Sequence, residues 1–104
     1  MTILINTDKN ISGNERLESY VNSVISEELS RFSEYITRIE VHFSDENASK
    51  DGTNDKRCMI EVRLKNKQPI AVTSVESTTE KALSESLDKL KVSIEKINSK
   101  PESY

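Results

Sequence analysis

The 104 residues hold one domain and leave no room for a second independent core. Hydrophobic residues make up 34%, below the usual 45–50% or so, but Leu, Ile, Val and Phe number 26 of the 104 residues, a quarter of the chain and above the share of about 20% that signals disorder. The 15 Lys and Arg against 18 Asp and Glu, the single cysteine and the lack of any long apolar run exclude three classes: a strongly basic nucleic-acid binder, a disulfide or multi-Cys zinc framework, and a membrane span. The N-terminus has no basic region followed by an apolar stretch, so no signal peptide is expected, and the expected setting is cytoplasmic.

Residues 2–6 read as a short strand with Ile3 and Ile5 on one face. Ser12 and Glu15 have capping-box spacing. Leu17, Val21, Val24, Ile25, Leu29, Phe32 and Ile36 then recur at steps of one, three and four, which predicts an amphipathic helix over 14–36. Ile39, Val41 and Phe43 alternate with Glu40, His42 and Ser44, the pattern of a half-buried strand. A polar loop is expected over 45–56. Alternation returns with Cys58, Ile60, Val62 and Leu64 against Met59, Glu61, Arg63 and Lys65. Asn66 to Pro69 reads as a turn, and 70–75 as a further strand with Ile70 and Val72 inward.

Ser77 and Glu80 again have capping-box spacing, and Leu83, Leu87, Leu90, Ile94 and Ile97 step by four and three. A second helix is predicted over 78–98, followed by a frayed tail, so the expected organisation is one domain over 1–98 with a tail at 99–104. The expected fold is α+β in the order β-α-β-β-β-α. Three consecutive strands favour an antiparallel meander, and the helical connection makes the first two strands parallel. Both helices then cover one face of a four-stranded sheet and leave the other open.

No catalytic set emerges. His42 is the only histidine and has no ligand partner at metal spacing. Cys58 falls on the apolar side of its strand, where a buried inert thiol is expected. Gly13 and Gly52 are too scattered for a phosphate loop. Asp45, Asp51 and Asp55 invite a calcium loop, but the best frame, starting at Asn47, puts Cys58 where a bidentate Glu is required. No cofactor, metal or small-molecule substrate is therefore expected.

Charge is unevenly placed. Residues 1–55 carry 5 basic and 11 acidic groups; residues 56–104 carry 10 basic and 7 acidic. Counting 100° per residue from Lys81, Lys96 falls at about 60°, Lys89 at about 80° and Lys100 at about 100°, with the apolar stripe near 200°. Most acids of this helix (Glu80, Asp88, Glu95) take the other flank, with Glu85 and Lys91 as exceptions. Such a row is either a solvated flank with helix pairs such as Glu85 with Lys89, or a ridge for phosphates.

The element order and the wording of three segments resemble the ribosome hibernation factors, the ribosome-associated inhibitor and hibernation-promoting family. The segments are Thr37-Arg38-Ile39-Glu40-Val41-His42-Phe43-Ser44-Asp45-Glu46-Asn47, Asp55-Lys56-Arg57-Cys58-Met59-Ile60-Glu61-Val62-Arg63, and Asp88-Lys89-Leu90 in the last helix. The resemblance implies binding without catalysis. Members of that family occupy the small ribosomal subunit near the decoding region and silence idle ribosomes, with basic residues against ribosomal RNA. Carried onto this chain, the RNA-binding set is Lys56, Arg57, Arg63, Lys65, Lys81, Lys89 and Lys96, the partner is the small subunit, and no membrane is involved. Glu27, Glu28 and Glu34 make the end of the first helix acidic, where related proteins often carry lysine. A second reading is therefore a diverged module of the same fold that binds a protein partner through that helix or the open sheet face. An enzyme ranks third, for want of a catalytic set.

Overall fold

The computed structural model describes residues 1–8, 15–45 and 55–99, with side chains to 97. Strand β1 (Thr2–Thr7) leads to helix α1 (Glu15–Glu28) and a single 3-10 turn (Ser30–Phe32). Strands β2 (Ile36–Asp45), β3 (Lys56–Leu64) and β4 (Ile70–Glu76) follow, and helix α2 (Thr79–Ser99) is the last of the described elements. The sheet order is β1-β2-β3-β4. β1 runs parallel to β2, with Ile3 beside Ile39 and Ile5 beside Val41. β2–β3 and β3–β4 are antiparallel, with Val41 opposite Ile60 and Ile60 opposite Val72. This is the expected β-α-β-β-β-α order with two helices on one face of a four-stranded sheet.

Alternation decides which face is covered. Ile39, Val41, Phe43, Cys58, Ile60, Val62 and Leu64 are buried, and their neighbours Glu40, His42, Met59, Glu61 and Arg63 are half-buried or exposed. α2 lies across β3 and β4 and buries Leu83, Leu87, Leu90 and Ile94. α1 contributes Val21 and Ile25, and Leu29 and Phe32 continue the same core. Each such side chain stabilises the fold by about 1.5–3 kcal/mol relative to exposure. Ile3 and Ile5, on the edge strand, are only half-buried.

The first helix is shorter than its hydrophobic stripe predicts. The α-helix ends at Glu28, and Ile36 is the first residue of β2. Leu29, at φ −107° and ψ 13°, leaves helical geometry. The chain then tightens: Phe32 N donates to Leu29 O at 2.9 Å, and Tyr35 N to Phe32 O at 2.9 Å. Bonds of this i to i−3 kind eclipse side chains three apart, so Phe32 stays over the core beside Leu29 and the stripe reads on unbroken. Ile36 keeps its place in the stripe for a different reason. The register between β2 and β3 shifts between Ile36 and Arg38, a bulge at Thr37 that puts both Ile36 and Ile39 on the covered face. Thr37 Oγ1 donates to Arg63 O at 3.1 Å across this shift.

The start of the last helix also differs from the expected capping box. The cap is Thr78: its Oγ1 accepts from Lys81 N at 3.1 Å, and its carbonyl accepts from Ala82 N at 3.0 Å. Ser77 lies one residue too early for that geometry. The Ser12 cap, the loop at 46–54 with its Asp51 and Gly52, and residues 100–104 of the expected tail lie outside the described residues.

Candidate nucleic-acid interface

α2 packs through Leu83, Leu87, Leu90 and Ile94, so its opposite side faces solvent and Lys81, Lys89 and Lys96 are all exposed. Lys89 shows where this flank points. Its Nζ donates to Thr73 O on β4 at 2.7 Å and lies 3.6 Å from Glu85 one turn earlier. The flank therefore runs along the β4 edge of the sheet, away from α1. Acids share it. Glu76, at the end of β4, lines one shallow hollow with Lys81, Ser84, Glu85 and Asp88. A hydrogen bond between the two carboxyls holds Glu76 above the ordinary 4.5 and Glu85 below it. Lys81 and Lys89 pull Glu76 the other way.

The remaining candidates sit on the sheet. Lys56, at the entrance to β3, is held between two carboxylates, Asp55 Oδ1 at 2.9 Å and Asp45 Oδ2 at 3.2 Å. Those contacts, Asp55 first, raise its pKa above 10.5. The ammonium closes the base of the β2–β3 pair, whose strands face each other there as Asp45 and Lys56. Arg57 and Arg63 point to the open face, Arg57 between Ser44 and Val75, Arg63 opposite Arg38. Lys65 is exposed in the following turn, where its N donates to Tyr35 O at 2.9 Å. Asn66 beside it takes φ 58°, a left-handed value that asparagine tolerates.

The structure thus divides the seven candidates. Lys81, Lys89 and Lys96 share one helix flank; Arg57 and Arg63 share the open sheet face; Lys65 stands in the turn after β3; Lys56 is engaged internally. Arg38, absent from the sequence-based set, joins Arg63 across the β2–β3 pair, and it also pairs with Glu40. The two arginines end the unbroken β2–β3 register that starts at Asp45 and Lys56, just before the bulge at Thr37, and alternation alone does not reveal that register. The exceptional Lys91 is explained by the other helix: its Nζ reaches Glu28 at 2.5 Å and Asp88 at 3.8 Å. Arg31, in the 3-10 turn after α1, pairs with Glu95 at 2.8 Å, so the flank of α2 that carries Glu95 faces that turn.

His42 is half-exposed, 3.8 Å from Glu40. Cys58 is buried, and desolvation pushes its thiol up to about 11, while Ser86 lowers it in part. Among the described residues no group of three or more His, Cys, Asp or Glu could hold a metal ion. No described helix is long and apolar enough to cross a membrane.

Comparison with known proteins places this geometry. No curated protein matches the chain. The N-terminal domain of Thermus thermophilus Protein Y superposes with a TM-score of 0.73 at 18% identity, covering 93% of this chain and 99% of that one. A ribosomal subunit interface protein from Coxiella burnetii superposes with a TM-score of 0.74 at 16% identity, covering 96% of this chain and 100% of that one. At these identities the superpositions speak for the fold. Residues 4–102 match the family model for the Sigma 54 modulation protein / S30EA ribosomal protein, and with nearly the whole chain matched, the protein belongs to that family.

Proposed function

We propose that the protein is a ribosome hibernation factor that binds the small subunit near the decoding region and blocks it by occupancy. The observation that carries this reading is the family match over residues 4–102. The Coxiella burnetii neighbour is a ribosomal subunit interface protein, which points the same way. Lys81, Lys89 and Lys96 on the exposed flank of α2 are the proposed phosphate contacts, with Arg57, Arg63 and Lys65 as a second group. Lys56 is proposed to support them by fixing the strand entrance. Ammonium and guanidinium groups on a rigid helix and sheet hold phosphates without reading bases, which suits a factor that works by position. No bond is made or broken in this mechanism, and the cytoplasm is its setting.

A sucrose gradient of stationary-phase lysate, probed for this protein, tests the reading. The protein is expected to sediment with ribosomal particles. Recovery only at the top of the gradient, at low and moderate salt alike, would contradict it.

A further inference from the structure

The two helices differ in charge: α1 is net acidic, and α2 balances four acids with four lysines. α2 presents lysines toward the β4 edge, whereas α1 carries Glu15, Glu18, Glu27 and Glu28 against Arg16. Between the helices lies a cleft of about 260 Å³, lined by Tyr20, Val24, Glu28, Glu80, Leu83, Ser84 and Leu87. Its floor is apolar. Leu83 and Leu87 form it, with half-buried Val24, and exposed Tyr20 stands at the wall. Its rim is acidic. Glu28 and Glu80 line it directly, and Glu27 falls within about 20° of Tyr20 on the helical wheel. Asp88 lies one turn beyond Ser84. Lys91 offsets one of the two charges of Glu28 and Asp88, and Arg31 and Glu95 cancel each other, so the rim stays acidic through Glu27, Glu80 and the remaining carboxylate.

We propose that this cleft docks a basic protein segment carrying one apolar anchor residue. The inference rests on the ribosome-binding reading and adds a partner to it. A ribosomal surface presents anionic RNA and cationic protein side by side, and a molecule with a lysine flank and an acidic cleft matches both. The size of the cleft supports an anchor: it falls below the roughly 300–1,000 Å³ of small-molecule pockets. The rim charge supports a basic flank, since acids around an apolar floor steer cationic partners and repel RNA.

Two measurements test this. In an NMR titration of the whole protein with the peptide Lys-Lys-Leu-Lys-Lys, shifts concentrated at Tyr20, Val24, Leu83 and Leu87 are expected. Glu-Glu-Leu-Glu-Glu should cause none. No shift at those residues, or equal shifts with both peptides, overturns the proposal whether or not the protein binds ribosomes. In the second measurement the double variant Glu27→Lys/Glu80→Lys, checked by thermal melting for a native fold, is compared with the parent on intact small subunits and on protein-free ribosomal RNA. The docking reading predicts roughly tenfold weaker binding to subunits and equal or tighter binding to naked RNA. Tighter binding to both substrates would show that the rim acids merely repel RNA, and would overturn it. Failure of the parent protein to bind subunits would sink the proposed function alone, and the peptide titration would still decide the cleft.

Discussion

Lys56 shows how a residue read as a surface contact takes on a structural task. Asp55 is 6% exposed and its carboxylate meets the Lys56 ammonium at 2.9 Å. Removing the amine strands a buried charge, which costs more than the pair itself contributes. Lys56→Ala is therefore expected to lower the melting temperature clearly, while Lys65→Ala leaves it unchanged; thermal melts followed by circular dichroism check this. The pH dependence has a defined sign. The pKa of Lys56 is raised above 10.5 by Asp55 and Asp45, so its contribution is complete below about pH 10.5 and is lost as pH rises through the folded value. Cys58 behaves likewise. Burial raises its thiol from 9.0 to about 11, so the thiol is protonated and enclosed at pH 8. A thiol reagent at pH 8 should label the native protein only at the rate of unfolding; fast stoichiometric labelling would contradict the buried position.

Most of the elements are legible in the sequence because each carries one clean period. Ile39, Val41 and Phe43 mark β2, and Leu83 to Ile94 mark α2, and both recur in the structure with the expected faces. What the period cannot show is where one geometry hands over to another. Leu29, Phe32 and Ile36 continue the α1 stripe, yet they occupy a turn, a 3-10 helix and a strand that all face the same core. The same limit applies at caps. Ser77 and Thr78 are both able to cap, and only the Lys81 N to Thr78 Oγ1 bond decides between them. Thr78→Ala should cost about 1 kcal/mol in chemical denaturation, and Ser77→Ala no more than about 0.5 kcal/mol. Equal losses would mean that the cap is shared.

At the scale of the whole molecule the charge asymmetry of the sequence becomes spatial. Lys81, Lys89 and Lys96 lie on the β4 side of α2, while its other side meets α1 through Lys91–Glu28 and the 3-10 turn through Glu95–Arg31. The helix wheel foretells the shared flank of Lys81, Lys89 and Lys96, because one helix holds all three. It cannot foretell that Arg38 joins Arg63, or that Lys56 is held by Asp45 and Asp55, since strand register sets both. The central claim is that α2's lysine flank holds ribosomal phosphates. The direct measurement is the affinity of purified protein for small subunits across a potassium chloride series, parent against Lys81→Glu/Lys89→Glu/Lys96→Glu. Because Lys89 also bonds Thr73 O, the variant is first shown to melt cooperatively. Each phosphate contact contributes about 0.7–0.9 to the slope of log affinity against log salt, so losing three should flatten it by roughly 2 to 3 as binding collapses. An unchanged affinity with an unchanged slope would place the ribosome on another face of the molecule.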